Sequence, residues 1–330
     1  MSWTKLPLPL LFCAAVAAGC STTSADRQVA DPEMEQKTVD RAGMDKKRRD
    51  FHKVLIDLDK AMDSYVVALA NRGQPRADQD AEKIETLLRD SVLDSGFTET
   101  KQGRRVSGGA PGENFDRIKA LATNASNPAQ QGIALAALGF SGRPEVMGTI
   151  VQGAMSEDPE VVDKAVLGLA ILRAPDTPPG VLAAIAENQK HPRDGRVQAA
   201  WALYRIQTRM IDTTDVVTVW KRWVHETERV PEAAIVQAVR GLGLAADDSN
   251  AEIVVPLLRH PTPRIRMAAA LALGRMNAQE HWAELLALLE PSETVQNVRL
   301  HARKALMALA GNKDYGYDVA AWQKQFDRGQ

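Results

Sequence analysis

Apolar residues recur at helical spacing along nearly the whole chain after about residue 45. Phe51, Leu55, Leu58, Met62, Tyr65 and Leu69 follow one another at intervals of 4, 3, 4, 3 and 4, which places them on one seam of a helix. Gly73 and Pro75 end that helix, and a second begins near Ala77 with Ala81, Ile84, Leu88 and Val92 on one face. Two amphipathic helices joined by a short Gly/Pro turn predict an antiparallel hairpin over residues 45–97. Such a hairpin either caps the end of a helical stack or serves as a coiled-coil docking or dimerisation element. Residues 98–112, with Gly103, Gly108, Gly109, Pro111 and Gly112, read as a linker.

Beyond the linker a pattern repeats. Six Ala/Leu-rich segments close on Gly139, Ala170, Tyr204, Gly243, Gly274 and Met307, at spacings of 31, 34, 39, 31 and 33 residues. Self-similarity at such a period marks a stack of helix pairs, each burying the apolar face of its neighbour. Pro128, Pro159, Pro192, Pro231, the Pro261 and Pro263 pair, and finally Ser292 precede the six segments. Proline lacks only an amide that the first helical turn leaves unpaired, so these positions predict the starts of the second helices. The first helices are predicted over 115–121, 146–154, 181–186, 216–224, 253–258 and 282–289.

The segment Pro263-Arg264-Ile265-Arg266-Met267-Ala268-Ala269-Ala270-Leu271-Ala272-Leu273-Gly274 resembles the second helix of HEAT repeats, especially the bacterial kind. Val298 to Leu306 repeats it well, and 161–169, 196–203 and 133–139 are weaker copies. The resemblance implies an all-α fold: an α-solenoid of about six HEAT-like helix pairs over 113–311, preceded by the helical hairpin. Residues 312–330 resemble a C-terminal tail of some bacterial HEAT-repeat proteins, so Trp322 and Phe326 are expected to cover the last pair.

The first residues read differently. Lys5, the apolar run Leu6 to Ala18 and the small residues ending at Gly19-Cys20 form a secretory signal over 1–19. Ala17-Ala18-Gly19-Cys20 resembles the lipobox of bacterial lipoproteins, although Ala17 stands where leucine is usual. The resemblance implies lipid attachment at Cys20. Ser21 is not the aspartate of the inner-membrane sorting rule, so an outer-membrane lipoprotein facing the periplasm of the bacterial envelope is expected. Residues 20–44 carry few apolar groups and read as a flexible tether. The only other cysteine, Cys13, lies within the signal, so no internal disulfide or cysteine metal cluster is expected after processing.

Charge narrows the partners. Lys plus Arg number 41 against 42 Asp plus Glu, without the basic excess of a nucleic-acid binder. The basic run Lys46-Lys47-Arg48-Arg49 reads first as a solvated helix face and second as a contact for anionic lipid. Arg196, Arg266 and Arg299 share one repeat position; with Arg193, Arg264 and Arg303 they form either a ladder bonded to neighbouring repeats or a basic stripe for an acidic peptide or glycan. Trp220 and Trp223, with Trp201 one pair earlier, read as core, with a binding hot spot as the rival.

Candidate catalytic chemistry is sparse. The six histidines show no i, i+4 pair with a glutamate, and His281 beside Glu284 reads as surface pairing, so neither metal nor cofactor is expected. Residues 107–112 lack the Gly-Lys-Ser/Thr ending of a phosphate loop, and there is no Gly-x-Ser-x-Gly elbow. The expectation is a non-enzymatic, membrane-tethered scaffold or adaptor that holds an envelope protein on the concave solenoid face. A bilin-lyase-like enzyme of HEAT type and a purely structural spacer are the alternatives.

Overall fold

The computed structural model describes residues 32–71, 75–93, 97–99, 105–107 and 112–327. The signal over 1–19, Cys20, the first part of the tether and several glycines of the linker lie outside the described residues. By backbone contacts the chain divides into Met1–Arg49 and Asp50–Gln330.

The described part of the first unit belongs to helix α1 (Pro32–Ala70). That helix begins within the stretch read as tether, which corrects its boundary. Pro32 supplies the first-turn angle, and the residues after it, rich in Glu, Met, Gln and Lys, favour helix without needing an apolar face.

In the second unit α1 runs on to Ala70 and α2 spans Pro75–Leu93. Phe51, Leu55, Leu58, Met62 and Tyr65 are all buried, as the seam requires, together with Ala81, Leu88 and Val92 from α2. The linker is not wholly irregular. Strands β1 (Phe97–Glu99) and β2 (Arg105–Ser107) pair antiparallel, with Thr98 opposite Val106. β-branched residues at those positions suit an extended pair.

Six helix pairs come next: α3 (Glu113–Asn124) with α4 (Pro128–Phe140), α5 (Met147–Ala154) with α6 (Pro159–Leu172), and α7 (Pro179–Glu187) with α8 (Arg193–Gln207). The later three are α9 (Thr214–His225) with α10 (Glu232–Ala245), α11 (Ala251–Val254, extended by a 3-10 turn to Arg259) with α12 (Pro263–Met276), and α13 (Trp282–Ala287) with α14 (Gln296–Leu309). Pro128, Pro159 and Pro263 each stand at the first turn of a second helix. Asn127 and Asp158 cap two of those helices by accepting from amides of the first turn, at 2.9 Å for Ala129 and for Glu160. The last second helix starts at Gln296, four residues after Ser292.

The glycine that closes three of the six repeats has a packing reason. Consecutive second helices lie side by side, and a Cβ placed on Gly139 would fall 2.3 Å from the Gly168 carbonyl oxygen of the next one. Gly243 meets Ala272, and Gly274 meets Ala305, in the same relation. The alanine and glycine stripe therefore sets the distance between successive pairs. The array is closed by α15 (Val319–Asp327), whose Trp322 and Phe326 are buried; Trp322 donates to the Gly316 carbonyl at 3.0 Å, and Phe326 stacks on Trp282 with centroids 5.2 Å apart.

Candidate functional site

The first three second helices do not present their shared face to open solvent everywhere, because α1 runs beside them. Tyr65 of α1 packs edge-on against Phe140 of α4, with centroids 5.2 Å apart, and its hydroxyl donates to Glu85 of α2 at 3.0 Å. Burial raises the Tyr65 pKa, and the Glu85 charge raises it further, so the hydroxyl keeps its proton and stays a donor. Farther along α1, Asp59 accepts from Lys164 Nζ of α6 at 2.7 Å. These contacts fix α1 as one wall of a groove.

The groove has a volume of about 840 Å³. Its apolar lining comes from Val66 and Leu69 of α1, Ile133 of α4, Leu167 of α6, and Val197 and Trp201 of α8. Trp201 is only partly covered, and Arg205 lies over its ring at 5.1 Å. The charged side chains that line it are four carboxylates, Asp59, Glu160, Asp163 and Asp194, and one cation, Lys164. Lys164 is already held by Asp59 and stands 4.0 Å from Asp63. Asp163 meets His191 Nε2 at 2.8 Å, whereas Glu160 and Asp194 are exposed. The groove can thus enclose apolar groups in a lining of net negative charge.

None of the six arginines read from the sequence lines this groove. Arg196 is buried and donates to the Ala186 carbonyl at 2.8 Å, to Gln189 at 3.0 Å and to the Arg229 carbonyl at 2.7 Å. Arg266 forks onto Glu293 at 2.8 and 2.9 Å and also donates to the His260 and Pro261 carbonyls. Arg299 donates to the Leu289 carbonyl at 3.0 Å and lies over Tyr317 at 5.0 Å, and Arg303 pairs with Asp314. Each repeat-position arginine ties its helix to the end of the helix before it. Arg193 and Arg264 are exposed. Four of these six guanidiniums, those of Arg196, Arg266, Arg299 and Arg303, thus already have partners inside the fold.

The tryptophans separate as well. Trp220 and Trp223 are fully buried, 5.1 Å apart and edge to face. Trp220 donates to Gln207 at 2.9 Å, and Gln207 donates to the Gly241 carbonyl at 2.9 Å, which links α8, α9 and α10 across the longest repeat. Trp223 and Arg222 both bond Glu187, joining α9 to α7. Trp201 alone of the three lines the groove.

Among the described residues no group of three His, Cys, Asp or Glu side chains is placed to hold a metal. His281 lies 3.6 Å from Glu284 and 3.7 Å from Glu252. No described helix is long and apolar enough to cross a membrane.

With six stacked pairs, small residues between second helices and arginines tying three of the pairs together, the array has the organisation that its repeats predict. Residues 221–307 match the family model for HEAT repeats. The earlier HEAT-like pairs continue the same stacking toward the hairpin. No curated protein matches the chain. Among solved structures, an engineered protein is similar over 60% of this chain and 96% of its own, with 18% identity and a TM-score of 0.44. The complex of CpcE and CpcF of phycocyanin lyase from Nostoc sp. PCC7120 is similar over 80% of this chain and 94% of its own, with 16% identity and a TM-score of 0.34.

Proposed function

We propose that this protein is a non-catalytic scaffold that holds another protein in the groove of its HEAT-like array, and that a lipid on Cys20 tethers it to the bacterial envelope, facing the periplasm. The observation that supports holding is the groove itself. A largely apolar space of about 840 Å³, lined by five helices and by an incompletely covered tryptophan, is a surface that water wets poorly and that a partner would cover at a gain. The tether rests on residues 1–20 alone: a cation, an apolar run and a cysteine after small residues. Several acyl chains, each adding about 0.8 kcal/mol per buried CH₂, would hold the chain on the membrane without any help from the array.

Crosslinking in intact cells tests the scaffold. A reproducible, stoichiometric protein adduct is expected, and its absence would favour a spacer without a ligand. Fractionation tests the tether separately: Cys20→Ala is expected to move the protein from the membrane to the soluble periplasmic fraction, and retention on the membrane would refute lipidation.

A further inference from the structure

We infer that the groove selects a polypeptide segment that carries a large apolar side chain flanked by lysine or arginine, the opposite charge from the partner that the arginine stripe implies. The inference rests on the scaffold reading and names its ligand chemistry. Four carboxylates from α1, α6 and α8 line the groove against a single lining ammonium, which is committed to Asp59, and the Arg205 guanidinium lies over the Trp201 ring. Glu160 and Asp194 have no ion pair among the described residues and are exposed, so they are available to an incoming cation. An acidic segment would meet like charge here and would gain nothing from Arg196 or Arg266, whose donors are spent on carbonyls and on Glu293.

The apolar lining supplies the second half of the specificity. Val197, Leu167 and Ile133, on three successive second helices, line the groove together with Trp201. Neighbouring packed helices lie about 8–10 Å apart, so three of them span about 16–20 Å from first axis to last. An extended chain covers that distance in about six residues at roughly 3.3 Å each. A short strand-like segment can therefore place one apolar side chain against the indole while its basic neighbours reach the carboxylates on either side. Trp201 is the expected anchor of affinity, and the carboxylates provide selection and steering.

The test is a selection of short random peptides displayed on phage against the immobilised full chain, with fluorescence anisotropy of the enriched peptides after synthesis. Enriched peptides are expected to place Lys or Arg on both sides of Leu, Phe or Trp. Their affinity is expected to fall about tenfold on Trp201→Ala. It should also fall several-fold, with a flatter salt dependence, in a Glu160→Gln, Asp194→Asn double variant. Because Glu160 and Asp194 are exposed, the double variant keeps its fold even if Trp201→Ala does not. Enrichment of acidic or uncharged apolar peptides, no enrichment at all, or binding that neither variant weakens would overturn the inference. A cellular partner that binds wild type and both variants equally would leave the scaffold standing and remove only this ligand chemistry. Basic peptides that bind the groove in vitro, with no partner found in cells, would do the reverse.

Discussion

Replacing Arg266 by alanine separates an arginine that holds the array together from one that serves a ligand. Its Nε and one terminal nitrogen donate to the two carboxylate oxygens of Glu293 at 2.8 and 2.9 Å, and the other terminal nitrogen donates to the His260 and Pro261 carbonyls at 2.8 and 2.9 Å. Both side chains are largely buried, 14% and 8% exposed. Removing one member of a buried ion pair costs about 3–5 kcal/mol, because the other charge stays desolvated without its partner. The Val295 amide, which donates to Glu293 at 2.9 Å, is not removed by the substitution, which places the expected loss near about 3 kcal/mol, or a fall in Tm of about 6–12 °C for an array of this size.

The pH dependence has a defined sign. Burial works to raise the Glu293 pKa, but the hydrogen bonds from Arg266 and Val295 and the Arg266 charge outweigh it and hold the group below its ordinary 4.5. Its contribution is therefore complete above 4.5 and is lost as pH falls through the lower folded value. In Arg266→Ala burial prevails, so the deficit is largest at neutral pH and shrinks as the carboxyl takes up a proton. Adding Glu293→Gln removes the stranded charge and is expected to recover part of the loss. Thermal unfolding followed by far-UV circular dichroism, at neutral and acid pH, measures all three chains. An unchanged Tm in Arg266→Ala, or a double variant no more stable than the single one, would show that this ion pair does not hold the array together.

Two further outcomes depend on local geometry. A methyl group on Gly241 would fall 2.2 Å from Trp220 Nε1, so Gly241→Ala is expected to destabilise by about 1–3 kcal/mol in urea unfolding, against the usual gain of about 1 kcal/mol for this change within a helix; a stabilised variant would contradict the packing. Hydrogen bonds from Arg303 and from the Gly316 amide hold the Asp314 pKa at about 2. The turn they close is therefore expected to be fully stabilised above the ordinary value of 3.8 and to loosen as pH falls through about 2, and an NMR titration midpoint for Asp314 at or above 3.8 would contradict this.

Local chemistry carries far in a repeat array, which is why much of this fold is legible from residues alone. The α1 seam from Phe51 to Tyr65 is buried as its spacing requires, Pro128, Pro159 and Pro263 open helices, and Trp322 with Phe326 closes the end. Each of these depends on a residue and its near neighbours. What the sequence hides is contact between elements far apart. Glu160, Asp163 and Asp194 look like ordinary surface acids until two helices and α1 bring them around one groove with Asp59. The fate of the arginines is hidden for the same reason, since the groups that satisfy them lie at or just past the end of the preceding helix (the Ala186, His260, Pro261 and Leu289 carbonyls) and in the next pair (the Arg229 carbonyl and the Glu293 carboxylate). For the tryptophans, the 39-residue spacing between Tyr204 and Gly243 is a visible sign of an enlarged repeat, and Trp220 fills it beside Gln207. That spacing does not show that Trp201, on the preceding helix, faces a groove.

Whether the groove holds a protein can be read by site-specific photocrosslinking in intact cells, with benzoylphenylalanine placed at Val197, which lines the groove, or at Met155, which is 71% exposed and outside the groove. A discrete protein adduct is expected from Val197 and not from Met155, with the crosslinked segment carrying lysine or arginine beside an apolar residue. No adduct from Val197, or the same adducts from both positions, would mean that the groove is not where a partner sits.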